Sequence, residues 1–326
     1  MGAMQTVFLV GPTAVGKSAV ALELARHIHA EVVSADSMQV YRGMDIGTAK
    51  PSPAERALVP HHLIDVCEVG DVFDAKRFVD LATKAIVGIH GRGRVALVVG
   101  GTGLYVRALR RGLFEGPSRN DELRARLEKM NAAQLFEELQ RVDPLTAERI
   151  DRHNPRRLVR ALEVFHETGK PIAELQKEWT TGEIPRQSTY AKASADKARD
   201  DSSGICLSRA RDDLHARIER RIDGQIAAGW IEEVKRLLAR GLENNATAMQ
   251  AAGYRELVAH VRGDLSLAAA VALIKTRTRQ LARRQLTWFR REPQLDWIEI
   301  GRNEPPTDTA TRALGIAQQR EKNSVS

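Results

Sequence analysis

Cysteine is nearly absent: Cys67 and Cys206 are the only two in 326 residues. Two such residues cannot build a disulfide framework or a structural zinc site, so a reducing cytoplasm is expected. Long apolar runs are missing too. None approaches the ~20 residues that span a bilayer, and no membrane association is expected. The start, Met1-Gly2-Ala3-Met4-Gln5, lacks the basic region of a signal peptide. The nine histidines include one adjacent pair, His61-His62, without the spacing of a metal site, and read as structural or substrate-contacting groups. No internal repeat is present. A further absence is more specific. The apolar run Val95–Val99 ends in Gly100-Gly101-Thr102-Gly103, not in the Asp of a Walker B strand. That argues against an ATP-driven motor or switch and for a site of binding and transfer.

What is present is a soluble globular composition, 43% hydrophobic and 28% charged, with a net charge of +8 and a pI near 9.7. A basic soluble chain often handles a polyanion. The most informative stretch is Gly11-Pro12-Thr13-Ala14-Val15-Gly16-Lys17-Ser18, after the apolar run Val7–Val10 and before a helical pattern at Val20, Leu24 and Ile28. Strand, G-x-x-x-x-G-K-S and helix in that order define a P-loop. Its glycines let backbone N–H groups converge on phosphate, the helix dipole adds to them, and Lys17 adds a full charge. Ser18 is placed to ligate a magnesium ion on the same phosphates.

The fold class expected is α/β: a P-loop NTPase-like parallel sheet with an inserted all-helical domain. Residues 1–118 read as the first part of the core. They carry strands at 7–10, 31–34 and 95–99, a possible strand near Leu63–Val66, and a helix N-capped by Asp74. Residues 119–187 read as helices only, with Asp143-Pro144 and Asn154-Pro155 as N-cap and first-turn pairs. Residues 188–204, rich in Ala, Ser, Asp and Lys, read as a flexible insertion. Residues 205–302 return to the core, ending in a long basic helix over roughly 266–291, and 303–326 read as a frayed polar tail.

Asp36 falls at the carboxyl end of the second strand, one strand from the P-loop, where functional groups gather in doubly wound sheets. It could take a proton or hold magnesium through water, the alternative being an N-cap for a helix in the segment after it. Arginines cluster at Arg156, Arg157 and Arg160, and again at Arg277, Arg279, Arg283, Arg284, Arg290 and Arg291 around Trp288 and Phe289. Arginines with interleaved aromatics suit a phosphate backbone and an unstacked base, the alternative being a solvated helix face. Arg217 and Arg221 share a face at i, i+4, and either could reach the phosphates.

The P-loop resembles that of bacterial tRNA dimethylallyltransferases, and so do the stretches Ser34–Tyr41, Met44–Pro51, Pro60–Asp65, Val99–Tyr105, Asn154–Glu163 and Thr278–Phe289. The resemblance covers about residues 6 to 300. It implies transfer of a dimethylallyl group from dimethylallyl diphosphate to N6 of the adenosine 3′ of the anticodon, position 37, with magnesium as cofactor. Asp36 matches the proposed general base. Thr13 and Arg217 match residues beside the diphosphate, with Arg221 competing for the second role. Gly11, Pro12, Thr13, Ala14, Val15, Gly16, Lys17 and Ser18 would hold the diphosphate, with Ser18 on the metal. Asp36, Ser37, Met38, Gln39, Thr102 and Arg124 fall where the family touches tRNA. So do Arg156, Arg157, Leu158, Val159 and Arg160, and Gln250, Ala251, Ala252, Gly253, Tyr254 and Arg255. The last such stretch is Arg283, Arg284, Gln285, Leu286, Thr287, Trp288, Phe289 and Arg290. A monomer acting on the anticodon stem-loop is expected. The 188–204 stretch has no family counterpart, and Gln250–Arg255 keeps the family's Gly-Tyr-Arg after a different start. A small-molecule kinase and an RNA-binding protein with a relic P-loop are the competing readings of the residues alone.

Overall fold

The computed structural model describes residues 6–112, 116–117, 119–175 and 203–325. They divide into two compact units, Met1–Arg110 with Thr189–Ser326, and Arg111–Ser188.

The first unit is built on six parallel strands: β1 (Thr6–Val10), β2 (Ala30–Ser34), β3 (His61–His62), β4 (Val95–Gly100), β5 (Ser203–Ser208) and β6 (Leu295–Glu299). Their order across the sheet is β3-β2-β4-β1-β5-β6. The middle strands are apolar on both faces, as a parallel sheet covered on both sides requires; all five residues of β1 are buried. Register brings Val10 beside Gly100 and Ser34 beside Val99, so the carboxyl ends of β1, β4 and β2 lie in a row. The helices of this unit are α1 (Lys17–His27), α2 (Pro53–Leu58), α3 (Ala75–Gly91) and α4 (Gly103–Arg111). Asp74 caps α3 by accepting from the Arg77 amide. In the second unit follow α5 (Asp121–Leu127), α6 (Ala132–Val142), α7 (Pro144–Ala147) and α8 (Pro155–Thr168). The first unit resumes after β5 with α9 (Arg211–Ala227), α10 (Trp230–Leu238), α11 (Tyr254–Val261), α12 (Leu267–Phe289) and, last, α13 (Pro306–Val325).

Three expectations change. The third strand is His61–His62, not Leu63–Val66, because Leu63 and Asp65 adopt φ of 62° and 56°, which no strand accommodates. The 303–326 segment is a helix from Pro306, not a frayed tail: Ala310, Ala313 and Ala317 are buried and α13 lies along α1. Small alanines at helical spacing give a flat face that a polar composition conceals. Of the 188–204 stretch, Ser203 and Gly204 belong to β5, where they pair with Val7 and Phe8; the remainder lies outside the described residues.

The second unit has a core of its own, in which Leu123, Leu127, Leu135, Leu139, Leu158 and Leu162 pack together. Its expected caps form. Asp143 accepts from the Thr146 amide, and Asn154 accepts from the Arg157 amide with Pro155 opening the helix. Gly169 closes α8 at φ 68°, a left-handed residue that ends a helix without strain.

Candidate active site

The loop between β1 and α1 sits at the row of strand ends. Ala14 and Gly16 adopt φ of 63° and 113°, which turns successive N–H groups toward one side as an anion nest does. Gly16 caps α1 without a side-chain bond, leaving the first helical N–H groups for a ligand. Gly11 has no room for a side chain, since a Cβ there would lie 2.6 Å from the Leu207 carbonyl oxygen. Lys17 folds back over the loop, its Nζ donating to the carbonyls of Gly11 (2.9 Å) and Pro12 (2.8 Å). Burial pushes its pKa down to about 8, against the attraction of Asp36 and together with the repulsion of Arg221.

A basic wall faces the loop from β5 and α9. Arg209 donates to the Val15 carbonyl (2.8 Å) and pairs with Asp213 (2.9 Å). Arg217 donates to the Ala14 carbonyl (2.9 Å), and Arg221 donates to Thr13 Oγ1 (3.1 Å). One helical turn brings both Arg217 and Arg221 to the loop. Burial lowers the pKa of Arg221, with the Asp36 carboxylate opposing that shift. Lys17, Ser18, Asp36, Arg217, Arg220 and Arg221 line a cavity of about 510 Å³, suited by charge to a di- or triphosphate.

A second cavity of about 390 Å³ has walls at Met38, Ile218, Ile222, Trp230, Leu281 and Trp288. Thr13, Asp36, Thr48, Gly101, Arg221 and Gln285 line both cavities. A charged compartment and a largely apolar one therefore share a threshold at which a carboxylate stands. Asp36 Oδ1 accepts from the amides of Met38 (2.9 Å) and Gln39 (3.4 Å). Asp36 thus holds a turn over residues 37–40 and caps no helix, since none starts there, while lining both cavities. Ser37 donates its amide to Thr102 Oγ1 (3.0 Å), tying the ends of β2 and β4 together.

Several residues that support the site are not singled out in the sequence. Glu233 is buried and accepts from the amides of Asp45 (2.9 Å), Ile46 (2.6 Å) and Gly47 (3.2 Å) and from the Tyr254 hydroxyl (2.7 Å). Gln225 donates to the carbonyls of Ile46 and Gly47. Lys50, also buried, bridges Asp45 and Asp65 at 2.6 Å each. Together they hold the loop that presents Thr48 and Ala49 to the phosphate cavity. Glu233 lies far from that loop in sequence, and only the paired acids Glu232-Glu233 opening α10 could have drawn attention to it. His61 and His62 are structural, bonded to the Val59 carbonyl and to Glu31 at 2.7 Å each.

The residues matched to RNA contact divide. Arg283, Arg284, Thr287 and Arg290 are exposed along α12, and Arg284 also lines the apolar cavity. Trp288 packs under Arg107, whose guanidinium lies 4.6 Å from the ring centre. Gln250, Ala251 and Ala252 line the apolar cavity, and Arg255 is exposed, donating to the Met249 carbonyl. Tyr254 and Phe289 are buried, so their side chains serve the fold and not a surface. Gly253 has φ 96° and Trp230 against it. Gln39 donates to the Thr48 and Ala49 carbonyls, and Leu286 is half-buried. In the second unit Arg156 and Arg157 are exposed, whereas Leu158 and Val159 lie in its core. Arg124 donates to both oxygens of Glu163 (2.7 and 2.8 Å), and Arg160 donates to the same carboxylate (2.5 Å).

A parallel sheet with a P-loop at its strand ends, a basic cavity over that loop and an adjoining apolar one place the chain in the P-loop NTPase-like class. The family model of the IPP transferases matches residues 39–292. The tRNA dimethylallyltransferase of Syntrophobacter fumaroxidans is 43% identical, covering 91% of this chain and 84% of that protein. The enzyme of the same name from Geobacter metallireducens is 45% identical over 90% of this chain and 92% of its own. The crystal structure of the full-length tRNA isopentenylpyrophosphate transferase from Bacillus halodurans superposes with a TM-score of 0.69 at 35% identity, covering 99% of this chain and 100% of that one. A eukaryotic dimethylallyltransferase acting on tRNA superposes with a TM-score of 0.78 at 26% identity, covering 98% of this chain and 80% of that one. This chain belongs to the IPP transferase family.

Proposed function

We infer that this protein transfers a dimethylallyl group from dimethylallyl diphosphate to N6 of the adenosine immediately 3′ of the anticodon, position 37, in tRNA. The observation that carries the reading is the Asp36 carboxylate at the threshold between a cavity built for phosphates and one built for flat or apolar groups. In the reaction the C1–O bond of the prenyl diphosphate breaks, an N6–C1 bond forms, and diphosphate leaves. Negative charge grows on the leaving oxygen. Lys17, Arg217 and Arg221 and the N–H groups of the P-loop are preorganised to receive it. The exocyclic amine is a weak nucleophile, and Asp36, with Oδ1 fixed by two amides, offers its other oxygen to orient the amine and take its proton.

Magnesium fits the donor set. Ser18 and Asp36 line the phosphate cavity, and this ion takes few protein ligands, completing its shell with phosphate oxygens and water. When bound it neutralises charge on the diphosphate. Ser18, which follows Lys17 at the start of α1, is the protein ligand we assign, with Asp36 acting through water.

The adenosine must leave its stack to reach the threshold, at about a few kcal/mol. Trp288 and the exposed arginines of α12 offset that cost. Arg156 and Arg157 opening α8 supply phosphate contacts in the second unit. No described helix is long and apolar enough to cross a membrane, and we take the protein to act as a monomer in the cytoplasm. The test is a transfer assay with dimethylallyl diphosphate, magnesium and an anticodon stem-loop bearing adenosine 3′ of the anticodon. Isopentenyl-adenosine from the wild type supports the reading. A folded protein that makes none, but passes the γ-phosphate of ATP to a small molecule, overturns it.

A further inference from the structure

We propose that Gln285 is a positioning residue of the transfer reaction, bracing the threshold between the two cavities, and that it does not read RNA. The proposal rests on the prenyl-transfer reading above. Gln285 sits on α12 beside Arg283 and Arg284, in a stretch matched to tRNA contact as a whole. Its carboxamide is spent inside the protein: Oε1 accepts from the Thr13 amide (2.8 Å) and Nε2 donates to the Gly101 carbonyl (3.0 Å). The orientation of the amide follows from its partners, since one can only donate and the other only accept.

Both partners matter to the chemistry. Thr13 follows β1 and Gly101 follows β4, strands that end side by side at Val10 and Gly100. Thr13, Gly101 and Gln285 line both cavities. Thr13 also receives Arg221 on its hydroxyl, so the same bridge sets a residue that lines the phosphate cavity together with Lys17 and Arg217. The fit is tight, because a Cβ on Gly101 would lie 2.5 Å from Gln285 Nε2 and 3.3 Å from the Gly11 carbonyl oxygen. One side chain of the helix bearing the exposed arginines thus fixes two backbone points at which the two cavities meet. An ångström of slack at such a point costs about a hundredfold in rate.

Steady-state transfer to the stem-loop decides the matter, with folding of each variant checked by thermal unfolding. Gln285→Leu keeps the bulk and removes both bonds. It should lower kcat about tenfold to a hundredfold while the stem-loop KM and its salt dependence stay within about threefold of wild type. Gln285→Glu keeps an acceptor for Thr13 but sets a carboxylate oxygen against the Gly101 carbonyl; protonation restores a donor there. With that carboxylate ionised at the assay pH, Gln285→Glu should lower kcat at least as far as Gln285→Leu while stem-loop KM and its salt dependence again stay near wild type, a readout that also serves if Gln285→Leu fails to fold. A wild-type kcat in either folded variant, or a loss confined to stem-loop KM, overturns the proposal. A wild type that forms no isopentenyl-adenosine overturns instead the reading on which it rests.

Discussion

In the sheet-containing unit, Arg217 and Arg221 reach a carbonyl and a hydroxyl of the P-loop and line a phosphate-sized cavity. In the helical unit, Arg124 and Arg160 converge on one fully buried carboxylate, Glu163. Burial works against the charge on Glu163, but the bonds from Arg124 and Arg160 and from the Asn120 amide outweigh it and hold the carboxyl at about 2. Both groups are arginines spaced one helical turn or so from charged neighbours in a basic sequence. Their roles part because one pair meets a fixed internal anion and the other meets a neutral carbonyl and a neutral hydroxyl, leaving positive charge for an anion that arrives. Basic character by itself therefore does not mark a ligand site; an arginine's partner does.

The comparison breaks if variants of the two units fail in the same way. The largest effect is expected at the threshold. Asp36→Ala should lower turnover by about 10²–10⁴ with stem-loop affinity and thermal stability near wild type, as read by single-turnover transfer and a binding titration. Next comes Glu163→Gln, which leaves two guanidinium groups facing a neutral amide. It should cost about 2–4 kcal/mol of stability in denaturant unfolding, with turnover per folded molecule retained. The stability from Glu163 is complete above the ordinary glutamate pKa of 4.5 and is lost as pH falls toward about 2, because the unfolded chain binds the proton first. The variant should lack this acid-dependent loss.

A smaller effect sharpens the picture of the phosphate cavity. Lys17 titrates near 8 before a ligand arrives, and diphosphate favours its protonated form. Affinity for inorganic diphosphate should fall as pH rises through 8, by at most about tenfold per pH unit for one proton. Lys17→Arg, which stays charged, should flatten that dependence in calorimetric titrations at pH 7 and pH 9. The smallest change is expected at the exposed surface. Arg284→Ala should weaken stem-loop binding and reduce the slope of log affinity against log salt by about 0.7–0.9, with diphosphate affinity unchanged. An identical salt slope would remove Arg284 from the RNA-facing surface.

Much of this was legible in the residues. Gly11, Gly16, Lys17 and Ser18 announce a phosphate loop because few residue types permit that backbone and present that charge. Asp74, Asp143 and Asn154 stand where helices need caps, and each accepts a backbone amide there. The apolar stretches at 7–10 and 95–99 could only be interior strands of a covered sheet. What stayed hidden has low local contrast. The alanines of α13 look like a polar tail, since a small-residue face has little hydrophobic amplitude. Leu63 and Asp65 look like strand residues until their positive φ is seen.

The sequence by itself determined the fold class, the phosphate loop and the family resemblance, because each depends on residues within a few turns of one another and on backbone rules that act locally. Tertiary structure alone decided which arginines are spent and which remain for a ligand, that Glu233 holds the 45–47 loop, and that Gln285 braces Thr13 across 272 positions of chain. A hydrogen bond between distant segments leaves no periodicity in either one, so only the folded chain reveals it.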